Sequence, residues 1–340
     1  MNQEYDLEVD YAQGKPLGRA RLKLHAVDFM VNERLGFEPS GVGEHCYVRI
    51  RKTGANTAWV AENMARYLDI KPFDVNYAGR KDRHAVTEQW LSCHVPGKQM
   101  PDFSGLGLAG VEILETRRHD KKLRRGGHAG NEFEIRLRDV QPDLQDGFQD
   151  GFQDDLEQRL ARVAAQGFPN YFGEQRFGRD ASNLIAADSL FAGQPVRHQQ
   201  RDLCLSAVRS YMFNADLSQS IRSGDLADIS LPEHSWETNS EPRGGARGQP
   251  QTSAQINMRG WLYGVARHET PALKSLERRF PDWCEGLRRL DLKAQQRDLW
   301  VRPAAFSWRF EGADLLLSFG LPVGSFATSL IREIVDYGER

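Results

Sequence analysis

The sequence predicts an α+β protein in which a sheet-rich domain, built from both ends of the chain, is interrupted by a helical middle. Three observations carry this. Period-two alternation recurs through the first 140 residues, helical spacing takes over from Asp155 to Ile221, and alternation returns after Arg302-Pro303. The expected division is 1–154 and 303–340 for the first domain and 155–302 for the insertion. A chain of 340 residues, 40% of them hydrophobic, can bury two such cores.

In chain order, Tyr5 to Asp10 and Gly18 to Leu24 read as short strands around a Gly-Lys-Pro turn. Asp28 to Glu33 alternates, with Phe29 and Val31 on one side and Met30 on the other. Glu44 to Arg51 alternates again. Cys46, Val48 and Ile50 form its core face, and His45, Tyr47, Arg49 and Arg51 form a basic face carrying an aromatic ring. Asn56 or Thr57 can cap a helix to about Leu68, with Trp59, Val60, Met64 and Leu68 as its buried stripe. Strands follow at Phe73 to Ala78, Val86 to Val95, Val111 to Thr116 and Glu132 to Val140. The tandem repeat from Asp146 to Asp154 reads as slack at a domain junction, ahead of helices at Asp155 to Gln166, Ala181 to Phe191 and Asp202 to Ile221. Thr238 to Thr252, rich in Gly, Pro, Arg, Ser and Gln, reads as a loop, and a short helix follows at Leu273 to Phe280. Strands at Phe306 to Phe310 and Asp314 to Phe319 and a helix from about Ser325 to Tyr337 close the chain.

Net charge is −2, so the overall balance names no partner, but the distribution is uneven. Arg117, Arg118, Lys121, Lys122, Arg124 and Arg125 face a single acid, Asp120, within twelve residues, for a local charge of +5. Asp139 to Glu157 carries seven acids and no Lys or Arg. A basic arm before an acidic connector fits a nucleic-acid-facing patch backed by a solvated linker, although each run is also compatible with plain surface charge. Cys46, Cys93, Cys204 and Cys284 lie far apart without a C-x-x-C pair, so neither a zinc site nor a disulfide framework is indicated. The start lacks an apolar signal core and no run approaches transmembrane length, which leads to the expectation of a soluble, cytoplasmic protein.

The densest chemistry lies in Tyr77-Ala78-Gly79-Arg80-Lys81-Asp82-Arg83-His84, where one carboxylate sits among three cations and a histidine. Such a carboxylate stays ionised at neutral pH. In an extended segment Lys81 and Arg83 point away from Asp82, so its charge partner has to come from elsewhere, and Lys23 is a candidate. The competing reading is a solvated basic hairpin. Gly130-Asn131-Glu132-Phe133 could bind a base through amide and ring, or be a turn entering a strand whose Phe is core. Gly324-Ser325-Phe326 has the same two readings. Asn170 to Gly178 gathers three aromatic rings, two amides and Arg176, suited to an RNA-contacting hinge or to a packed loop. No P-loop, dinucleotide fingerprint, H-E-x-x-H or Gly-x-Ser-x-Gly is present.

Several ordered blocks make the chain resemble the TruD family of tRNA pseudouridine synthases. They are Leu24…Asp28-Phe29-x-Val31-x-Glu33, Tyr77-Ala78-Gly79-x-Lys81-Asp82-x-His84 through Trp90, Gly130-Asn131-x-Phe133, Pro169 to Gly178, and Leu321 to Leu330. The middle beyond Ala215 resembles the family only weakly. The resemblance implies a pseudouridine synthase catalytic domain with a mixed, mainly antiparallel sheet, interrupted by an inserted α/β domain. It implies isomerisation of uridine 13 of tRNA without cofactor or metal, and with no obligatory protein partner. Asp82 becomes the catalytic aspartate and Lys23 its paired cation. Phe133 would stack on the target uracil, Asn131 would support the loop, and Phe29 and Phe326 would line the pocket. Arg80, Lys81, Arg117, Lys121, Lys122, Arg124 and Arg125, with Tyr171, Gln175 and Arg176 at the domain junction, are the expected RNA contacts. Two rivals remain at this level. One is an RNA-binding or RNA-folding protein on the same scaffold; the other is a glycosidase, weakened because no second carboxylate accompanies Asp82.

Overall fold

The computed structural model describes residues 5–97, 99–143, 151–226 and 258–338. The loop at 238–252 and most of the 146–154 repeat lie outside them. The first part of the chain forms β1 (Gly18–Arg21), β2 (Phe29–Arg34), β3 (His45–Lys52), α1 (Thr57–Tyr67), β4 (Val75–Tyr77), β5 (Val86–His94), β6 (Val111–His119) and β7 (Gly130–Pro142). The middle holds α2 (Phe152–Gln166), β8 (Phe168–Pro169), α3 (Ser182–Phe191), α4 (His198–Arg222), β9 (Arg259–Leu262), α5 (Pro271–Arg279), α6 (Pro281–Arg289), β10 (Gln295–Asp298) and β11 (Trp300–Val301). The end contributes β12 (Ala304–Glu311), β13 (Asp314–Pro322) and α7 (Ala327–Ile331).

One large sheet runs β12-β13-β7-β2-β5-β3-β6, with β1 added on β7 and β4 on β5. Among the described strands only β2 and β5 pair in parallel, so the sheet is mixed and mainly antiparallel, the architecture expected. Strand β13 pairs with β7 from Leu315↔Leu137 to Pro322↔Gly130, which makes the last strands part of the sheet begun by the first. One core lies where Phe29, Val31, Phe133, Ile135, Leu317 and Phe319 meet Leu156, Leu160 and Val163 of α2 and Leu330 and Ile331 of α7. A second fills the space between β3, β5 and α1. A third unites α3, α4, α5 and α6, with Cys204, Val208 and Met212 repeating every fourth residue along α4. Strand β8 pairs with β11, so the chain enters and leaves the helical part side by side. All four cysteines are free and buried. Among the described residues no helix is long and apolar enough to cross a membrane.

Several local expectations need correction. Tyr5 to Asp10 is not a strand: Asp10 instead exchanges hydrogen bonds with Ser218 of α4, and Tyr5, Leu7 and Val9 pack on the helical core. Tyr47 does not face solvent; it is buried under Leu35, Trp90 and Leu123. Leu123 comes from the basic arm, and that long-range cover is invisible in β3 itself. Trp59 is 42% exposed, because the buried stripe of α1 is Val60, Ala61, Met64 and Ala65. Helix α6 extends the helical part beyond Phe280: Pro281 ends α5 and opens α6, since a missing N–H costs nothing in a first turn. The last helix stops at Ile331, and turns carry the chain to Asp336, which bridges Arg19 beside the sheet.

Candidate active site

Asp82 lies on the irregular connection between β4 and β5, and four neighbours hold that connection. The Lys81 N–H donates to Thr57 Oγ1 (3.1 Å), and the Gln89 amide donates to the Gly79 carbonyl (3.3 Å). The Gly54 N–H donates to the Arg83 carbonyl (2.9 Å). The ammonium of Lys52, at the end of β3, donates to the main-chain carbonyls of Lys81 (3.3 Å) and Asp82 (2.9 Å). Lys52 is fully buried, and desolvation pulls its pKa down to about 8 against the opposing field of Asp82.

The carboxylate itself has two partners. Lys23 Nζ stands 2.5 Å from Oδ2, and the His84 N–H donates to Oδ1 (2.9 Å), closing a turn of the kind aspartate favours. Burial pushes the Asp82 carboxyl up, but these hydrogen bonds and the charge of Lys23 outweigh it and leave it below the ordinary carboxylate value. Lys23 adopts φ +57, a left-handed conformation that strains a side-chain-bearing residue. Its loop is held from the far side by Asp28, which is buried, accepts from the His25 N–H (2.8 Å) and receives both arms of the Arg138 guanidinium (2.8 and 2.9 Å). Burial would raise the Asp28 carboxyl, yet Arg138 and the His25 N–H keep it lowered. Asp28 and Arg138 thus place the ammonium that places Asp82.

Lys23 Nζ also lies 4.2 Å from the centre of the Phe29 ring, a cation–π contact that ties the acid to the aromatic group behind it. Phe29 meets Phe133 edge-on (6.1 Å), and Phe133 stacks on Phe319 (5.3 Å, 23°). The structure therefore brings Asp82, Lys23, Phe29 and Phe133 into one connected group drawn from β2, β7 and two loops. Phe133 is buried and one ring face is already covered by Phe319, so packing is part of its work. Phe133→Ala is expected to cost about 3–5 kcal/mol of stability. A urea melt reads this as a lower midpoint at unchanged slope, whereas an unmoved midpoint would show the ring is not packed.

The other expected site residues have their own surroundings. Asn131 lies two positions before Phe133 on β7, with its amide 3.5 Å from His128 Nε2. Phe326 packs on Phe172 (5.9 Å), at the margin of the helical core. Lys81 is corrected as an RNA contact: its ammonium is nearly buried, 2.5 Å from the fully buried Glu33, whose other oxygen accepts from the Trp90 N–H. Tyr171 is corrected too, being 1% exposed with its hydroxyl donating to the Asp10 carbonyl, so its ring is closed to a base. Arg176 is half-buried over Phe172 and donates to Ser206, while Gln175 is exposed. In the basic arm Arg118 is buried, donating to the Val95 and Gln99 carbonyls. Arg117, Lys121, Lys122, Arg124 and Arg125 are exposed, as is Arg80.

Arg297 was not singled out by sequence, where it stands in a short polar strand without a motif. Its guanidinium donates to Asn170 O (2.9 Å), Asn170 Oδ1 (2.8 Å) and Gly324 O (2.5 Å), and covers the Phe172 ring at 3.9 Å. Burial lowers its pKa to about 9. Two sequence blocks, at 170–178 and 321–330, are thereby stitched together by one cation. Among the described residues no cluster of three or more His, Cys, Asp or Glu could hold a metal ion.

Comparison with known proteins identifies the family. Residues 10–191 match the family model described as tRNA pseudouridine synthase D (TruD). The tRNA pseudouridine synthase D of Aeromonas hydrophila is 43% identical, covering 98% of this chain and 95% of the relative. The proteins of that name from Cellvibrio japonicus (41%; 98% and 94%) and Hydrogenovibrio crunogenus (38%; 96% and 95%) are similar. A crystal structure of the putative tRNA pseudouridine synthase D of Methanosarcina mazei shares the fold, with a TM-score of 0.62 and 18% identity over 96% of this chain and 95% of that one. Matched by that family model over more than half its length, and by named relatives from end to end, the chain belongs to the tRNA pseudouridine synthase D family.

Proposed function

We propose that this protein is a tRNA pseudouridine synthase that isomerises uridine 13 of tRNA, with Asp82 acting on the ribose of a flipped-out nucleotide. The single observation that carries the reading is the Lys23–Asp82 pair at 2.5 Å, part-buried and backed by Phe29 and Phe133, in a chain of this family. The reaction breaks the C1′–N1 bond of uridine, turns the uracil and rejoins it through C5, with no net gain or loss of atoms. A base must leave its stack first, at a cost of a few kcal/mol. An ionised carboxylate serves the chemistry either as a nucleophile at C1′ or as a base at the 2′ proton, and Lys23 keeps it ionised in both cases. Lys52 acts as a positioning residue, since it holds the two carbonyls around Asp82 without reaching the carboxylate. The exposed cations of the arm supply phosphate contacts, and a tRNA substrate sets the reaction in the cytoplasm.

The division into a catalytic domain (1–154 and 303–340) and an insertion (155–302) belongs to the same proposal. The pairing of β8 with β11 and the separate helical core support an insertion, but Leu156, Leu160, Val163 and Phe168 pack in the catalytic core, which favours a start of the insertion after β8 rather than at 155. The test is conversion of an unmodified tRNA transcript by purified protein, with pseudouridine mapped nucleotide by nucleotide. A single conversion at position 13 is expected. Tight tRNA binding without conversion would instead identify an RNA-binding or RNA-folding protein.

A further inference from the structure

The basic arm and strand β4 enclose a groove of about 680 Å³ lined by Phe73, Val75, Asn76, Tyr77, Lys122, Leu123, Arg124 and Arg125. Its composition is one-sided: three cations and no acid line it. None of the three has a carboxylate partner among the described residues, unlike Arg117 and Lys121 of the same arm, which pair with Glu115 and Asp120. Phe73 is 71% exposed, the most open of the large apolar side chains among the described residues, with Lys71 Nζ 5.5 Å from its ring centre. An open ring beside three cations without carboxylate partners offers a stacking face and phosphate-binding charge in one place.

The groove is nonetheless firmly built. Leu123 is buried and its N–H donates to Ser92 Oγ (2.9 Å), so the arm is pinned to β5 at the midpoint of its charged run. The Gly126 N–H donates to the Ala78 carbonyl (2.7 Å), which fastens the far side of the arm to the stretch that leads into Asp82. Tyr77 and Asp82 are five residues apart, a chain distance of on the order of 18 Å at most. The Tyr77 wall of the groove therefore lies within about 18 Å of the acid along the chain.

We propose that this groove receives an unpaired nucleotide of the RNA substrate, its base lying on Phe73 and its phosphates against Lys122, Arg124 and Arg125. This rests on the tRNA reading above and adds to it a second, stacked nucleotide outside the catalytic group. A ring favours a splayed base over a duplex, because bases inside a helix present no free face. An acidic peptide would use the cations but not the ring.

Two readouts test it. Phe73→Ala is expected to weaken tRNA by about 5- to 150-fold, the loss falling in KM rather than kcat, and Phe73→Tyr is expected to restore it. The triple variant Lys122→Gln, Arg124→Gln, Arg125→Gln is expected to flatten the dependence of log Kd on log salt by about 2 for a short single-stranded oligouridylate. A KM for Phe73→Ala within twofold of the parent, or an unchanged salt slope in the triple variant, overturns the proposal. Equal loss of affinity for a blunt RNA duplex in Phe73→Ala also overturns it, as stacking on a single base would then be irrelevant. The oligouridylate measurement needs no turnover, so a protein inactive on tRNA whose salt slope still flattens in the triple variant would sink the enzymatic reading and leave the groove intact.

Discussion

Asp82→Asn is expected to abolish pseudouridine formation, lowering turnover by at least about a thousandfold, while tRNA affinity stays within about tenfold. The substitution keeps the size of the side chain and an oxygen for the His84 N–H, so the turn can survive. What disappears is the negative charge, and with it both chemical roles open to the group. The change also leaves Lys23 without a counter-ion, which favours a phosphate-bearing ligand if anything. Single-turnover rates on saturating enzyme read the chemistry, and filter binding reads the affinity. Turnover comparable to the parent would remove Asp82 from the mechanism.

Lys23→Met is expected to slow turnover by about a hundredfold at neutral pH and to move the acid limb of the pH–rate profile to higher pH. The sign follows from what acts on Asp82. Burial raises its pKa, and the Lys23 hydrogen bond and charge, with the His84 N–H, bring it below the ordinary value. Without Lys23 the raising influence is less opposed, so the carboxyl takes up its proton at higher pH and activity fails sooner on acidification. A neutral methionine keeps contact with the Phe29 ring, which separates the charge from the packing. An acid limb in the same place, whatever the rate, would show that Lys23 does not govern the ionisation of Asp82.

Much of this was legible in the chain because it is local. The alternation of β2, β3, β5 and β7 and the motif around Asp82 are properties of short windows, whereas Lys23, one candidate cation among many, was marked as the partner by the family resemblance. The parts that were not legible depend on distant neighbours. Tyr47 looked like surface until Leu123 arrived from the arm to cover it. Lys81 looked like a phosphate ligand until Glu33 neutralised it, and Tyr171 looked like a stacking ring until Asp10 and the helical core closed over it. Arg297 carries no motif; its importance comes from three carbonyl oxygens contributed by two segments far apart in sequence. In each case a charged or aromatic residue has two physical uses, and only the partner decides between them.

The submerged ammonium of Lys52 has a thermodynamic consequence for the whole molecule. Its proton is held less tightly in the folded chain, to about 8, than in the unfolded one, so unfolding takes up a proton in mildly alkaline solution. The penalty for hiding the charge is complete below that value and fades as pH climbs toward the ordinary lysine range. On this group's account the fold grows more robust with added base, while the clamp on the carbonyls flanking Asp82 loses the charge that strengthens it. Resistance to unfolding and grip on the reactive loop are therefore set in opposition by one proton.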